Sequence, residues 1–318
     1  MEAAGLEPFG ESGFIQDVPR CGANVLGVLR GNGPHRERSI LVAAHYDHLG
    51  HGDHGEVYWG ADDNAAAVAV LMEVARDLGL DRDRLGRKVI FAAFDGEEPP
   101  HFMQDSMGSM HYVRQPPEPV EQIDLMICMD LVGHALGPAE FPAEVRNSLF
   151  VLGAELSEGT GALVDAAGEY TDGVVPRRLD LDVVPPLSDY FAFREAGVPV
   201  LFLTCGRWEH YHAPTDTPEK LDYPKIAATS VFLRELVVAA SNRTEASVPL
   251  RTDARDDAAT LASLLALGQR LASEVPDVAT FLPLVEGLAR KAEAGPLSAE
   301  ERALIPQLVG GLETLLGG

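Results

Sequence analysis

The sequence predicts an α/β domain of three layers with a largely parallel central sheet, followed by an all-helical C-terminal appendage. Short apolar runs rich in Val, Ile, Leu and Phe alternate with helical patterns, which is typical of α/β domains. Several of these runs are continuously apolar, as expected for strands that are buried on both faces of a parallel sheet. Beyond residue 254 the strand patterns disappear and only helical patterns remain.

The individual elements follow from these patterns in chain order. Apolar runs predict strands at 24–29, 39–44, 88–94, 125–131, 149–152 and 200–204. Helical periodicity predicts helices at 64–78, 107–114, 155–167, 188–196 and 224–240. In the first helix, for example, Val68, Leu71 and Ala75 recur at helical spacing, so they define its buried face.

The same patterns divide the chain into a main domain over 1–240, a polar linker over 241–253 and a helical appendage over 254–318. Helices are expected in the appendage at 254–273, 277–294 and 298–316. Ser298 and Glu301 have the spacing of a capping box, and Pro306 should kink the last helix. We expect the appendage either to pack on the main domain or to form the interface of a homo-oligomer.

The composition excludes several classes of protein. Of the 318 residues, 46% are hydrophobic and 23% are charged, as in globular rather than disordered proteins. The formal net charge of −24 repels phosphate backbones and anionic lipid headgroups, so we expect neither a nucleic acid nor a membrane as partner. Cys21, Cys128 and Cys205 are odd in number and far apart, which predicts reduced thiols.

The location of the protein is predicted from the same sequence. No apolar run approaches the roughly 18 residues that a membrane helix needs. The first residues contain neither the basic nor the apolar region of a signal peptide. We therefore expect a cytoplasmic protein, or a secreted one if a signal precedes this chain.

Residues that can bind metal or carry protons follow the predicted strands. His45 comes directly after the strand at 39–44, and Asp47 could accept a hydrogen bond from its imidazole. Asp62 and the acid beside it precede the first helix, where they are either ordinary helix caps or a carboxylate that bridges two cations. Glu97 and Glu98 follow the strand at 88–94, either as a solvated acidic turn or as a metal ligand paired with a proton carrier.

Two further motifs complete the set. Asp130 lies in an otherwise apolar run, and a buried carboxylate needs a partner such as a cation or a hydrogen bond. Tyr211 and His212 lie in a loop before the last helix of the main domain, as surface residues or as an oxyanion donor and a ligand. Two imidazoles and three carboxylates suit two zinc ions that share one carboxylate. His51 and His54 lie in a Gly-rich stretch that is typical of a solvated loop.

The order of these motifs resembles that of the di-zinc aminopeptidase family, which includes aminopeptidase Y and the secreted bacterial leucyl aminopeptidases. The segments that carry the resemblance are Ala44-His45-Tyr46-Asp47-His48-Leu49-Gly50, Gly60-Ala61-Asp62-Asp63-Asn64-Ala65, Glu97-Glu98, Met129-Asp130 and Tyr211-His212-x-x-x-Asp216-Thr217. The resemblance spans about 24–240 and implies a three-layer αβα sandwich with a mixed, mostly parallel sheet. It also implies that the substrate is a peptide or an aminoacyl compound.

The resemblance assigns a role to each site residue. One zinc ion would be bound by His45 and Asp130 and the other by Glu98 and His212, with Asp62 bridging the two. Glu97 would act as the general base, Asp47 would orient His45, and Tyr211 would donate a hydrogen bond to the oxyanion. A cis peptide bond is implied after Asp62.

Other reactions remain open on the same scaffold. A glutaminyl-cyclase-like transferase or a deacylase would keep the metal, although the cyclases use one ion. A non-catalytic relative would lack a ligand, and this sequence has the full set. The segment 99–106 departs from the family and should border the pocket, and the helical appendage has no counterpart in the family.

Overall fold

The structure of the protein is a computed structural model that describes residues 1–317; residue 318, the last of the predicted appendage, lies outside the described residues. Its strands are β1 (Glu7–Pro8), β2 (Ile15–Asp17), β3 (Ala23–Leu29), β4 (Ser39–His45), β5 (Gly50–His51), β6 (Val57–Tyr58), β7 (Lys88–Phe94), β8 (Ile123–Met129), β9 (Ser148–Leu152), β10 (Val175–Leu179) and β11 (Val200–Thr204). Its α-helices are α1 (Ala66–Leu80), α2 (Gly108–Arg114), α3 (Ala143–Arg146), α4 (Thr160–Glu169), α5 (Tyr190–Glu195), α6 (Tyr223–Ser241), α7 (Asp257–Leu271), α8 (Pro276–Ala294), α9 (Ala299–Arg302) and α10 (Ile305–Leu316).

A single mixed sheet forms the centre of the main domain. Its strand order is β1-β3-β7-β4-β8-β11-β9-β10, with β2 paired to β3. The neighbours β7, β4, β8 and β11 run parallel to one another, while β3 and β9 pair antiparallel with them on either side. The predicted α/β sandwich with a mixed sheet is confirmed, and its parallel centre brings the carboxyl ends of four strands to one edge.

Helices cover both faces of this sheet. Along β4, side chains alternate between the two faces, so that Val42 packs in one apolar cluster and Leu41 in the other. Helices α1, α4 and α6 pack in the first cluster, whereas α2 and α5 contribute Tyr112 and Phe193 to the second. Both faces of the central strands are therefore buried, which explains why their sequences are continuously apolar.

Several element boundaries differ from the prediction for local reasons. Strand β8 ends at Met129, so Asp130 lies just beyond it rather than within it. Helix α4 begins at Thr160 instead of 155, because Gly159 adopts a left-handed φ of 78° before it. The last predicted helix is divided into α9 and α10 two residues before Pro306, in agreement with the expected break. The capping box of Ser298 and Glu301 is present.

The C-terminal helices pack directly on the main domain. Helix α7 covers the edge strand β10, where the Ser263 hydroxyl donates to the Arg178 carbonyl at 2.8 Å. Leucines of α7 and α10 belong to the same apolar cluster as strands of the sheet. The predicted linker is attached as well, since the buried Arg87 guanidinium donates to the carbonyls of Ser241 and Arg243. The boundaries predicted at 240 and 254 therefore lie between segments that share one core.

Two sequence-level expectations concern the chain as a whole. Cys21, Cys128 and Cys205 are free thiols, as predicted. Among residues 1–317, no helix combines the length and the apolar character that crossing a bilayer requires.

Candidate active site

Three neighbouring parallel strands deliver four of the eight predicted site residues to one edge of the sheet. His45 is the last residue of β4, Asp130 follows β8 directly, and Glu97 and Glu98 come three and four residues after β7 ends. Because β4 lies between β7 and β8, these side chains meet where the strands end. All four are buried.

One group of potential ligands surrounds the imidazole of His45. Its Nε2 lies 3.5 Å from Asp130 Oδ1 and 3.4 Å from Asp63 Oδ1. The Nδ1 atom faces the backbone carbonyl of Asp47 at 3.2 Å, which directs Nε2 toward the two carboxylates.

A second group forms around His212. Its Nε2 lies 3.2 Å from Glu98 Oε2 and 3.2 Å from Asp63 Oδ2. Asp63 therefore belongs to both groups, with one carboxylate oxygen facing each. This is the arrangement expected of a carboxylate that bridges two cations.

Asp63, and not the predicted Asp62, lies between the two ligand groups. The Asp62 carboxylate instead accepts hydrogen bonds from the Gly133 amide and from His134 Nδ1, both at 2.6 Å. The two acids point in different directions because they lie in an irregular π-helical turn, Ala61–Ala65. The cis peptide bond is displaced in the same way: it joins Asp63 to Asn64 and does not follow Asp62.

Asp216 holds this turn in place. Its carboxylate accepts hydrogen bonds from the amides of Asp62 and Asp63 at 2.9–3.1 Å. Its carbonyl also accepts one from the Ala61 amide. Asp216 was part of the motif that resembled the aminopeptidases, but the sequence alone assigned it no role.

Asp47 acts differently from the prediction. The carboxylate that was expected to bind His45 lies 3.6 Å from its Nδ1, and the hydrogen bond goes to the Asp47 carbonyl instead. The carboxylate accepts hydrogen bonds from the amides of Glu97 and Glu98, at 3.1 and 3.0 Å. Asp47 therefore positions the imidazole through its backbone and the two glutamates through its side chain.

The two groups and Glu97 form one cluster, which consists of His45, Asp63, Glu97, Glu98, Asp130 and His212. Its buried acidic groups favour the binding of positive charge. Burial raises the pKa of Glu97 well above its usual range, and the charges of Asp130 and Asp189 add to the rise despite the opposing effect of His45. Burial likewise raises the pKa of Asp130. Although burial lowers the pKa of His212, the neighbouring carboxylates of Asp63 and Glu98 outweigh this and raise the pKa to about 10.

These residues fit a pair of zinc ions. Within residues 1–317, His45 Nε2 and Asp130 Oδ1 are buried and have no hydrogen-bond partner. The separations of 3.2–3.5 Å within the two groups are long for hydrogen bonds. They match the ~3.3 Å between two ligand atoms that each lie ~2.0–2.1 Å from a tetrahedral zinc ion. A cation in each group would satisfy the orphaned atoms and lower the cost of the buried carboxylates.

A family comparison agrees with this geometry. Residues 24–237 match the model of peptidase family M28, which is about two thirds of the chain. The chain belongs to peptidase family M28. The resemblance inferred from the order of the motifs is thereby confirmed. The matched region ends at residue 237, before α7, the first of the C-terminal helices, begins.

Curated relatives share this region. The chain is 29% identical over 231 residues to the uncharacterized protein YfbL of Escherichia coli, covering 67% of this chain and 70% of that protein. It is 28% identical over 249 residues to a glutaminyl-peptide cyclotransferase of Boiga irregularis, covering 69% of this chain and 66% of the relative.

Solved structures show the same fold at lower identity. The LapA aminopeptidase of Legionella pneumophila superposes with a TM-score of 0.58 at 16% identity, covering 73% of this chain and 59% of LapA. A glutaminyl cyclase of Bacteroides thetaiotaomicron superposes with a TM-score of 0.55 at 18% identity, covering 76% of this chain and 86% of that chain. This chain thus spans about six tenths of the length of the Legionella enzyme.

Tyr211, the predicted oxyanion donor, lies beside the two ligand groups. Its ring stacks on the imidazole of His212, with centroids 3.9 Å apart, and it lines the cavity beside the cluster. Burial and the charges of the nearby carboxylates, Asp63 foremost, raise the pKa of its phenol. Tyr211 is therefore a protonated hydrogen-bond donor at neutral pH.

Two residues near the M28 site were missed by the sequence. Asp189 is fully buried and, among the described residues, its carboxylate has no hydrogen-bond partner; burial raises its pKa to about 7. His134 binds Asp62 and stacks on Trp208 at 4.5 Å between ring centroids. The sequence patterns assigned no role to either residue.

Other expected positions lie outside the site. His51 and His54 are exposed and belong to neither ligand group in the described part of the chain, and His51 lies in strand β5 and not in the expected loop. The segment 99–106, which was expected to border the pocket, does not line the cavity next to the cluster.

Proposed function

We propose that this chain is a zinc-dependent aminopeptidase that binds two metal ions and cleaves the amide bond after the N-terminal residue of a peptide. The observation that carries the proposal is the position of Asp63, whose two carboxylate oxygens each face a separate imidazole and a separate acidic side chain. Membership of a peptidase family supports hydrolysis as the reaction.

The ligands divide between the two ions as the geometry groups them. His45 and Asp130 would hold one ion, Glu98 and His212 the other, and Asp63 both. When bound, the ions polarise the scissile carbonyl and lower the pKa of the attacking water toward neutrality.

The remaining groups move protons and stabilise charge. Glu97 is buried beside His45 Nε2, at 3.8 Å, and it accepts the proton of the attacking water as general base. Once protonated, Glu97 can pass that proton to the leaving amine. Asp47 holds the backbone of Glu97 in place, and the Tyr211 phenol donates to the carbonyl oxygen as it becomes negative.

Glutaminyl cyclisation is the second candidate, because curated relatives at 27–29% identity are glutaminyl-peptide cyclotransferases. A cyclase would expel ammonia from an N-terminal glutamine without consuming water. A peptide that begins with Gln separates the two reactions, since hydrolysis releases free glutamine and cyclisation leaves a pyroglutamyl peptide. Mass spectrometry of the products identifies which reaction occurs.

The decisive experiment compares Glu97→Gln with Glu98→Gln on aminoacyl p-nitroanilides. Glu97→Gln should retain the metal content and lower kcat by about 10²–10⁴-fold, because the proton acceptor is lost. Glu98→Gln should lose metal as well as activity, because a ligand is weakened. Elemental analysis of both variants and of a chelator-treated sample provides the metal counts. Near-normal turnover by Glu97→Gln would refute the proposed role.

A further inference from the structure

A cavity extends from the metal-ligand cluster toward the C-terminal helices. It has a volume of about 360 Å³, within the range of small-molecule sites. Asp63, Glu97 and Asp130 line one end, beside Tyr211 and His212. Away from the cluster, apolar side chains of the sheet and of its loops form the walls.

Helix α10 forms the far wall of this cavity. It contributes one face, at the spacing of successive helical turns: Pro306, Val309, Gly310, Leu312, Glu313 and Leu316. Phe150 of β9 and Phe202 of β11 line the cavity as well. The region that matches family M28 ends at residue 237, so this wall comes from a part of the chain outside the family domain.

An ion pair ties α10 to the loop that carries His212. The Glu313 carboxylate accepts hydrogen bonds from the Arg207 guanidinium at 3.1 and 2.8 Å and from the Arg207 amide at 3.0 Å. Arg207 and Glu313 are the charged lining residues away from the cluster within residues 1–317, and they neutralise each other. The space between α10 and the sheet is therefore suited to an apolar group and not to a charged one.

Gly310 shows how close α10 comes to this space. It lies within the helix and lines the cavity, and a Cβ added there would meet no atom within 4 Å. Any larger side chain at this position would therefore extend into open space. Gly311, its neighbour, also has no atom within 4 Å of a Cβ, but it is exposed and does not line the cavity.

We propose that helix α10 determines substrate preference by enclosing a chamber for a large apolar group, aliphatic or aromatic, on the acyl side of the cleaved amide. The inference rests on the proposed hydrolysis at the cluster. The acyl side is assigned because its group is a single side chain of limited size, which a chamber of this volume can hold. The amine side of a peptide continues as a chain of any length.

The test compares Gly310→Leu with Gly311→Leu, which add the same side chain to adjacent positions of one helix. Both replace a helical glycine, so neither should impair folding. The kcat/KM ratio of leucyl to alanyl p-nitroanilide should fall at least about tenfold in Gly310→Leu, because the added side chain fills the chamber. The ratio should keep its wild-type value in Gly311→Leu. Equal ratios in both variants, whether lowered or unchanged, would overturn the assignment of α10.

A binding measurement keeps the inference separate from the proposed function. The neutral fluorescent probe N-phenyl-1-naphthylamine is titrated into metal-free protein in the presence of a chelator. Wild type and Gly311→Leu should bind it, and Gly310→Leu should bind at least about tenfold more weakly. If wild type cleaves no amide with any metal, the proposed function fails and this titration alone decides the chamber. Equal probe binding by the two variants would contradict the chamber.

A pair of substrates with and without the N-terminal amine shows whether the chamber recognises the apolar group alone. Leucyl p-nitroanilide presents an N-terminal residue, whereas 4-methylpentanoyl p-nitroanilide presents the same carbon skeleton without the amine. Cleavage of both, with the same sensitivity to Gly310→Leu, supports a chamber that reads the apolar group alone. An effect of Gly310→Leu that does not depend on the size of the acyl group would refute it.

Discussion

The two ends of the cavity are built in different ways. At the cluster end, buried polar side chains come from strand termini and loops that are far apart in sequence, and burial or neighbouring charge shifts their pKa values. At the α10 end, apolar side chains form the wall. A partly exposed ion pair between Arg207 and Glu313 attaches α10 to the loop that carries His212. The first end therefore specifies the chemistry, and the second end shapes what can reach it.

The cost of change differs accordingly. Replacing a buried ligand leaves its partners uncompensated, which is expensive in free energy. Changing an apolar residue that faces open space alters volume with little loss of packing. Specificity at the α10 end can therefore change while the cluster stays constant.

The strongest contrast lies between adjacent acids at the cluster end. Asp63→Asn should reduce metal affinity by at least about 100-fold, because both groups lose a charged ligand. Loss of a residue that only supports a ligand costs up to about 100-fold, so loss of a ligand itself should cost at least as much. Asp62→Asn should keep most of the metal and lower kcat by about 10–100-fold, because it weakens only the support from His134 and Gly133. Metal titration and steady-state kinetics on the two variants measure this difference. If Asp62→Asn lost its metal and Asp63→Asn did not, the bridging carboxylate would be Asp62, as the sequence predicted.

Glu155 tests the cost of a buried carboxylate that lies outside the two ligand groups. Its carboxylate is buried and accepts one hydrogen bond from the Leu181 amide, and burial raises its pKa from 4.5 to about 7. The folded state thus binds more protons than the unfolded state between these values, and stability should fall as pH rises through that window. Glu155→Gln should therefore be more stable than wild type by about 1–3 kcal/mol at pH 8 and similar at pH 4.

Urea unfolding at both pH values measures the effect of Glu155→Gln. The control is Glu158→Gln, which removes the same charge from an exposed side chain nearby. An equal gain in both variants would attribute the change to net charge and not to burial.

The weakest effect is expected at the attachment of α10. Glu313→Gln should lower the free energy of unfolding by no more than about 1 kcal/mol, because the Arg207 side chain is largely exposed. It should also reduce the leucyl-to-alanyl kcat/KM ratio, but less than Gly310→Leu does, because the wall is loosened without being filled. Glu7→Gln breaks a similarly exposed pair with Arg30 and serves as the control. A reduced ratio in Glu7→Gln would show that the effect is not specific to α10.

The sequence was most informative where polar residues follow apolar strands. His45, Glu97 and Asp130 could be placed at one edge of the sheet because parallel strands end together. The choice between Asp62 and Asp63 could not be made, because neighbouring residues in an irregular turn point in directions that no periodicity encodes. A strand containing Pro176 and two arginines was missed, because β10 is an edge strand that α7 covers.

The position of α10 as a cavity wall could not be predicted from the sequence, for a different reason. Apolar residues at helical spacing predict that a face is buried, but they do not say what it faces. Here part of that face borders a cavity next to the cluster, which depends on how the C-terminal helices pack against β10. Gly310 looks unfavourable in a helix from sequence alone, and its location beside the cavity gives it a use.

Asp216 connects parts of the site that are far apart along the chain. It lies four residues after His212, and it anchors the turn that carries Asp63 through backbone amides. The short segment from His212 to Asp216 therefore both carries one imidazole and fixes the turn that holds Asp63. Insertions in distant surface loops can lengthen the chain without altering the gap between His212 and Asp63, in which the proposed cation would fit.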